Sequence, residues 1–289
     1  MRHILSDDGP RAAAVGVAAA GIGAASGGAA NPGPQSFAEP TVHSYHHRLA
    51  EMEYSEFDYC GPDSSVPTFV VVHGIGMGRR AMEPLAGELQ RAGNVYALDL
   101  PGFGDSPEPR HNGTMAAMGE LVAHFIDDLA LKKVILVGHS MGTQVATETA
   151  IAHPADCVGL VLIAPTINRY ERSAWQQTRR LLQDLAGEKP QVLAAGLETY
   201  VRAGPWWFLG KVRRMLEHDV EHRYPLIRVP TLVLRGSQDR VVPRRWALEV
   251  AAAIPGAQYN EIRGHRHEAM VHRPQQAARE IRQFASAVM

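Results

Sequence analysis

Cysteine is nearly absent from this chain, with only Cys60 and Cys157 among 289 residues. Two such thiols do not make a disulfide framework, so the fold must be held by its core and a reducing compartment is tolerated. Neither thiol reads as a nucleophile. A surplus of charge of one sign is also missing: 29 Lys and Arg against 30 Asp and Glu leave a formal net charge of −1. Without a global field to hold a polyanion, nucleic acid and anionic membrane are poor partners, and a small molecule is expected instead. No apolar run reaches the length of a membrane span. The arginine pairs at 79/80, 179/180, 213/214 and 244/245 are scattered and are expected on solvated faces, with no phosphate site among them. No internal repeat is found, and the oligomeric state is left open.

What is present is enough apolar material, 45% of residues, to fill one large α/β domain with an insertion. The first forty residues differ from the rest. Residues 12–30 are almost wholly Ala and Gly, and Asn31-Pro32-Gly33-Pro34 follow. This predicts a disordered tail over 1–40. Asp7 and Asp8 spoil a positive leader and the apolar centre is weak, so a cytoplasmic protein is expected, with export by an atypical N-terminal signal as the alternative.

The stretch that organises the chain is 134–142. Val134-Ile135-Leu136-Val137 reads as a strand buried on both faces, and it breaks into Gly138-His139-Ser140-Met141-Gly142, a G-x-S-x-G pattern. A strand-to-helix turn this sharp would push Ser140 out over the end of the sheet. The start of the following helix, over 141–152, would place free N–H groups and a positive dipole end beside it, which suits a developing oxyanion.

In chain order, one or two edge-like strands are expected over 41–59 and a buried strand over 68–72, entering His73-Gly74-Ile75-Gly76. A helix over 81–92 and a strand over 95–98 follow, and then the loop Asp99-Leu100-Pro101-Gly102-Phe103-Gly104-Asp105-Ser106. Thr114 is placed to cap a helix whose Met118, Leu121, Val122, Phe125, Ile126 and Leu129 form one stripe. After the elbow helix comes a strand over 158–163. Alternation of strand and helix argues for a parallel sheet wound by helices. It stops over 166–224, where only helical stretches such as 175–185 and 192–201 are read. It then resumes with a strand at 231–234, a helix at 244–253, a strand at 257–262 and a helix at 275–287.

Five segments in this order, His73 to Gly76, Asp99 to Ser106, Gly138 to Gly142, Gly236 to Pro243 and Gly264 to Pro274, make the chain resemble the α/β-hydrolase fold family over residues 41–289. The likeness is to its cap-bearing branch of serine esterases, lipases and carbon–carbon hydrolases. The resemblance implies a mostly parallel eight-stranded sheet flanked by helices. Its first core part would be 41–165, a helical cap insertion 166–225, and its second core part 226–289. It also implies a triad in the order Ser, acid, His. A serine hydroxyl is a weak nucleophile at neutral pH, so an imidazole must take its proton and a carboxylate must orient that imidazole. Ser140, Asp239 and a histidine at 267 or 265 are the candidates. Glycine before His265 favours that residue. The family spacing to Met270 and Pro274, and the reach needed beyond a strand ending near 262, favour His267 as base, with His265 as the alternative. The family pattern assigns the oxyanion donors to the backbone N–H groups of Ile75 and Met141.

The expected activity is cleavage of a small or medium apolar carboxylic ester through an acyl-enzyme, with no cofactor and no metal. The same residues would serve carbon–carbon bond hydrolysis of a diketone, and family members that only bind small molecules give a further alternative. His73 and His139 are expected to be structural, and Asp99 with Asp105 to shape their loop. His218 and His222, four apart, lack a third ligand and are expected at the surface or in cap packing. Trp206-Trp207-Phe208 would serve equally as pocket lining or as cap core.

Overall fold

Thr68 and four apolar residues, Phe69 to Val72, form the strand β3 (Thr68–Val72), which carries no charge and is buried along its whole length. The elbow strand β5, Val134–His139, is equally buried. Both are central because a strand covered on two faces must be apolar throughout. The computed structural model of the chain describes residues 39–61, 65–109, 113–153, 155–173, 175–176, 205–272 and 274–289, all within the unit Phe37–Met289. Of the tail expected over 1–40, residues 1–38 lie outside the described residues. So do the two helical stretches expected within 175–201, apart from Trp175 and Gln176.

The remaining strands are β1 (Thr41–His46), β2 (Glu51–Phe57), β4 (Asn94–Leu98), β6 (Cys157–Ile163), β7 (Thr231–Gly236) and β8 (Gln258–Ile262). The eight strands form one sheet in the order β1-β2-β4-β3-β5-β6-β7-β8. β2 pairs antiparallel with both β1 and β4, whereas every pair from β4 to β8 is parallel. Of the two strands expected at an edge, only β1 lies there; β2 is one place inside, and its side chains are correspondingly more buried.

Helices α1 (Arg79–Leu89), α2 (Met115–Asp128), α3 (Met141–Ala152), α4 (Pro205–Glu217), α5 (Arg244–Ala253), the short α6 (Ala269–His272) and α7 (Pro274–Val288) are described. Thr114 caps α2 as expected, its Oγ1 accepting from Ala117 N–H at 3.1 Å. The stripe from Met118 to Ile126 is buried, with Leu129 packed at its margin. α2 packs against α3, and α1 against α6 and α7, so two helical groups flank the sheet. Between 166 and 225 the described residues hold α4, two short 3-10 turns (Val220–His222 and Tyr224–Leu226) and no strand.

Arg79 corrects the sequence reading. It is 4% exposed, not solvated, because its guanidinium is clasped by Asp99 and by Asp105 Oδ2, the latter at 2.7 Å. Asp99 has no exposed surface. Its carboxylate also takes the Arg79 backbone N–H at the start of α1 and the Asp105 N–H at 2.9 Å, so it acts as the helix cap that Gly78 cannot provide. A Cβ on Gly78 would come within 2.6 Å of Asp99 Oδ1, and one on Gly104 within 2.1 Å. Glycine at both positions lets backbone close over the buried charge. Removing one partner of such a pair strands the other charge, at a cost of about 3–5 kcal/mol. Asp99→Ala is therefore expected to lower the urea unfolding free energy by about that amount, and the double variant Asp99→Leu/Arg79→Met by clearly less. Equal losses for the two variants would contradict the pairing account.

Candidate active site

The turn from β5 into α3 forces Ser140 to φ 50°, ψ −117°, a backbone state that costs a non-glycine residue on the order of 1–3 kcal/mol. Small neighbours make the turn possible. A Cβ on Gly138 would lie 2.4 Å from Gly142 O, and one on Gly142 would lie 2.5 Å from Val72 O. The elbow is pinned by Ser140 N–H donating to Ile163 O at 2.9 Å, and by Thr143 donating to Ser140 O from its backbone N–H and its hydroxyl.

The structure brings Ser140, His267 and Asp239 together. Ser140 Oγ lies 3.0 Å from His267 Nε2, and His267 Nδ1 lies 3.0 Å from Asp239 Oδ2. A carboxylate only accepts, so the proton of a neutral His267 sits on Nδ1 and leaves Nε2 free to take the serine proton. Asp239 Oδ1 accepts from the N–H groups of Val241 and Val242, each at 2.8 Å, which holds the carboxylate in one orientation. His265 is placed apart. Its Nδ1 is 2.8 Å from Arg263 O, and its own carbonyl takes the Gln238 N–H. Met270 is fully buried behind this loop, and Pro274 opens α7.

The loop carrying Ile75 approaches the serine closely: a Cβ on Gly74 would be 3.2 Å from Ser140 Cβ. Met141 is the first residue of α3, where an N–H has no partner within its own helix. The Gly74 backbone thus lies against the Ser140 side chain, and Met141 follows that serine directly.

Arg235 escaped the sequence reading. It is buried at the end of β7 and donates to Val242 O at 3.0 Å, to Asp239 O at 2.9 Å and to Glu261 Oε1 at 2.8 Å. It thereby fastens both ends of the acid loop. An arginine closing the apolar run Thr231-Leu232-Val233-Leu234 was the available signal. Lys211 of α4 is buried too. Its Nζ and Trp207 Nε1 each donate to a different oxygen of Glu108 at 2.7 Å. Trp207 meets Phe103 edge-on, and Phe103 meets His73 in the same way, so α4 rests on the loops beside the serine. The Trp206 and Phe208 side chains lie outside the described residues. His218 Nε2 lies 3.2 Å from Glu148 Oε1 and His222 Nδ1 2.7 Å from Asp219 Oδ2. Among the described residues no group of His, Cys, Asp and Glu is arranged to hold a metal. No described helix is long and apolar enough to cross a membrane.

A mostly parallel sheet flanked by helices, with a sharp turn from its central strand β5 into α3, is the frame that carries these residues. The alpha/beta hydrolase family model matches residues 69–280, well over half of the chain, and the chain belongs to that family. Its relatives include the monoacylglycerol lipase abhd6-A of Xenopus laevis, 23% identical over 273 residues with 81% of each chain covered. Another is the pimeloyl-[acyl-carrier protein] methyl ester esterase of Vibrio vulnificus strain YJ016, 23% identical over 76% of this chain and 94% of that one. Among solved structures, a membrane phospholipase A described as a bacterial virulence factor superposes with a TM-score of 0.71 at 25% identity, covering 86% of this chain and 87% of that one.

His73 carries a consequence for stability. Its Nδ1 faces Gly74 O at 2.7 Å, so the proton sits there, and its Nε2 accepts the Leu100 N–H at 3.1 Å. A second proton would set donor against donor. Burial, only partly offset by the Gly74 bond and by Asp99, keeps His73 below the usual imidazole range. The unfolded chain therefore binds a proton that the folded chain refuses. Stability is lost as pH falls below about 6.5, by up to ~1.4 kcal/mol per pH unit. In urea unfolding the wild type is expected to lose more stability between pH 7 and pH 5 than His73→Gln does. A pH-independent difference between the two would contradict the neutral assignment.

Proposed function

We propose that the chain is a serine hydrolase that cleaves small or medium apolar carboxylic esters through an acyl-enzyme. The observation that carries this reading is the unbroken line from Ser140 Oγ through His267 to Asp239, at 3.0 Å for each step. In the proposed reaction Ser140 Oγ attacks the ester carbonyl as its proton passes to His267 Nε2. The imidazolium so formed is held by Asp239. Negative charge on the carbonyl oxygen is met by the N–H groups of Met141 and Ile75, and donors of this kind contribute about 3 kcal/mol each. His267 then protonates the departing alcohol. Water, deprotonated by the same nitrogen, attacks the acyl-serine and releases the acid. Every proton and electron pair is handled by these groups and by water.

The region 166–225 is proposed as the cap, with α4 as the part resting on the loops beside the serine through Trp207 and Lys211. Relatives named as a lipase and as a methyl ester esterase support ester cleavage, and the substrate is proposed to be a small molecule that enters beneath this cap.

With p-nitrophenyl butyrate as substrate, Ser140→Ala and His267→Ala are each expected to lower kcat/KM by ~10³-fold or more. His265→Ala is expected to stay within about tenfold of the wild type. A folded, active Ser140→Ala protein would end the serine reading. A dead His265→Ala with a nearly normal His267→Ala would exchange the two histidines.

A further inference from the structure

His139, the residue before the serine, is almost fully buried and takes no part in the proton path described above. Its Nε2 lies 3.2 Å from the backbone carbonyl of His267, and the two imidazole rings stand 5.0 Å apart at 51°. A carbonyl oxygen can only accept, so Nε2 carries the proton and Nδ1 is the bare nitrogen. Nδ1 has no hydrogen-bond partner among the described residues, and a Cβ on Gly74 would come within 2.9 Å of it. One ring thus touches the backbone of the base on one side and the loop of Ile75 on the other, while its own backbone belongs to the elbow.

We infer that His139 is a positioning residue: its Nε2–H bond to the His267 carbonyl fixes the base loop against the nucleophile elbow. This inference rests on the proposed roles of Ser140 and His267. The base sits on the loop between β8 and α6, and the serine on the turn after β5. These segments are 128 residues apart at the bond in question. Apart from the Ser140–His267 contact itself, the His139 bond is a direct tie between them. A serine and an imidazole must hold hydrogen-bond distance throughout the reaction, so a loop free to drift would lose rate without losing substrate affinity. Charge on the ring would work against this role, because it would add an unpaired N–H and repel the imidazolium of His267. Burial first, and that repulsion second, keep His139 well below the usual imidazole range, so the donor stays neutral during turnover.

The test compares His139→Gln, His139→Asn and His139→Leu in the full chain with p-nitrophenyl butyrate, beside thermal unfolding of each. A glutamine amide reaches to the position of Nε2 and can donate to the same carbonyl, an asparagine amide stops at Nδ1, and leucine donates nothing. Glutamine is expected to keep kcat within about fivefold of the wild type. Asparagine and leucine are expected to lose ~30-fold or more in kcat, with KM changed by less than about threefold. Overturning results are a folded asparagine or leucine variant with wild-type kcat, or a folded glutamine variant as slow as asparagine. The wild type supplies a reading that needs no variant to fold: ring nitrogen NMR at pH 7 is expected to show His139 neutral with its proton on Nε2, and a proton on Nδ1 overturns the inference. Activity surviving in Ser140→Ala would instead remove the triad on which the inference rests. A dead Ser140→Ala beside a fully active His139→Asn would remove the inference alone.

Discussion

The backbone of Ser140 is the constraint on which the rest depends. A serine at φ 50° is held against its own preference, and the surrounding contacts must exceed that strain. The parallel neighbours of β5 supply them: Val72 and His73 carbonyls press against Gly142, and Ile163 O takes the serine N–H. The elbow therefore exists only while β3, β5 and β6 stay in register, and a buried, charge-free centre of the sheet keeps that register fixed. Local strain at the hydroxyl and global burial in the sheet are one arrangement seen at two scales.

Buried charge does the same for the loops at the carboxyl ends of the strands. Asp99 with Arg79 closes the loop after β4, and Arg235 closes the acid loop after β7. Lys211 with Glu108 ties α4 down beside Phe103. Asp99 and Arg235 also bind backbone groups, and Glu108 also takes the Trp207 indole N–H, the kind of satisfaction under which buried ions become rigid fasteners instead of liabilities. The loop that carries Asp239, and the one that runs from Ile75 into Arg79, thus gain definite positions although neither belongs to a regular element.

How far the sequence revealed this follows from where the information lies. α3 was legible end to end because a glycine pair opens it, and the α2 stripe was legible because its period of about 3.6 is a local property. The elbow was legible for the same reason, since its glycines and serine are contiguous. Arg79 was misread as solvated because its partner Asp99 lies 20 residues away, and a window of sequence shows only a charge beside another charge. Lys211 and Glu108 are 103 residues apart, beyond any local pattern. β2 read as an edge because its polar residues alternate, yet a strand next to the edge is covered on one face only in part and carries the same alternation. The choice between His265 and His267 rested on spacing. The structure brings the second of them to Ser140 and Asp239, a juxtaposition that no periodicity encodes.

The central claim is that Ser140 is the reactive nucleophile, activated by its imidazole neighbour. Treating the full chain with a fluorophosphonate and mapping the adduct by peptide mass spectrometry measures this without choosing a substrate. The account predicts a single adduct, on Ser140, formed far more slowly when His267 is replaced by glutamine. An adduct on another residue, or labelling of Ser140 at the same rate without the imidazole, would contradict it.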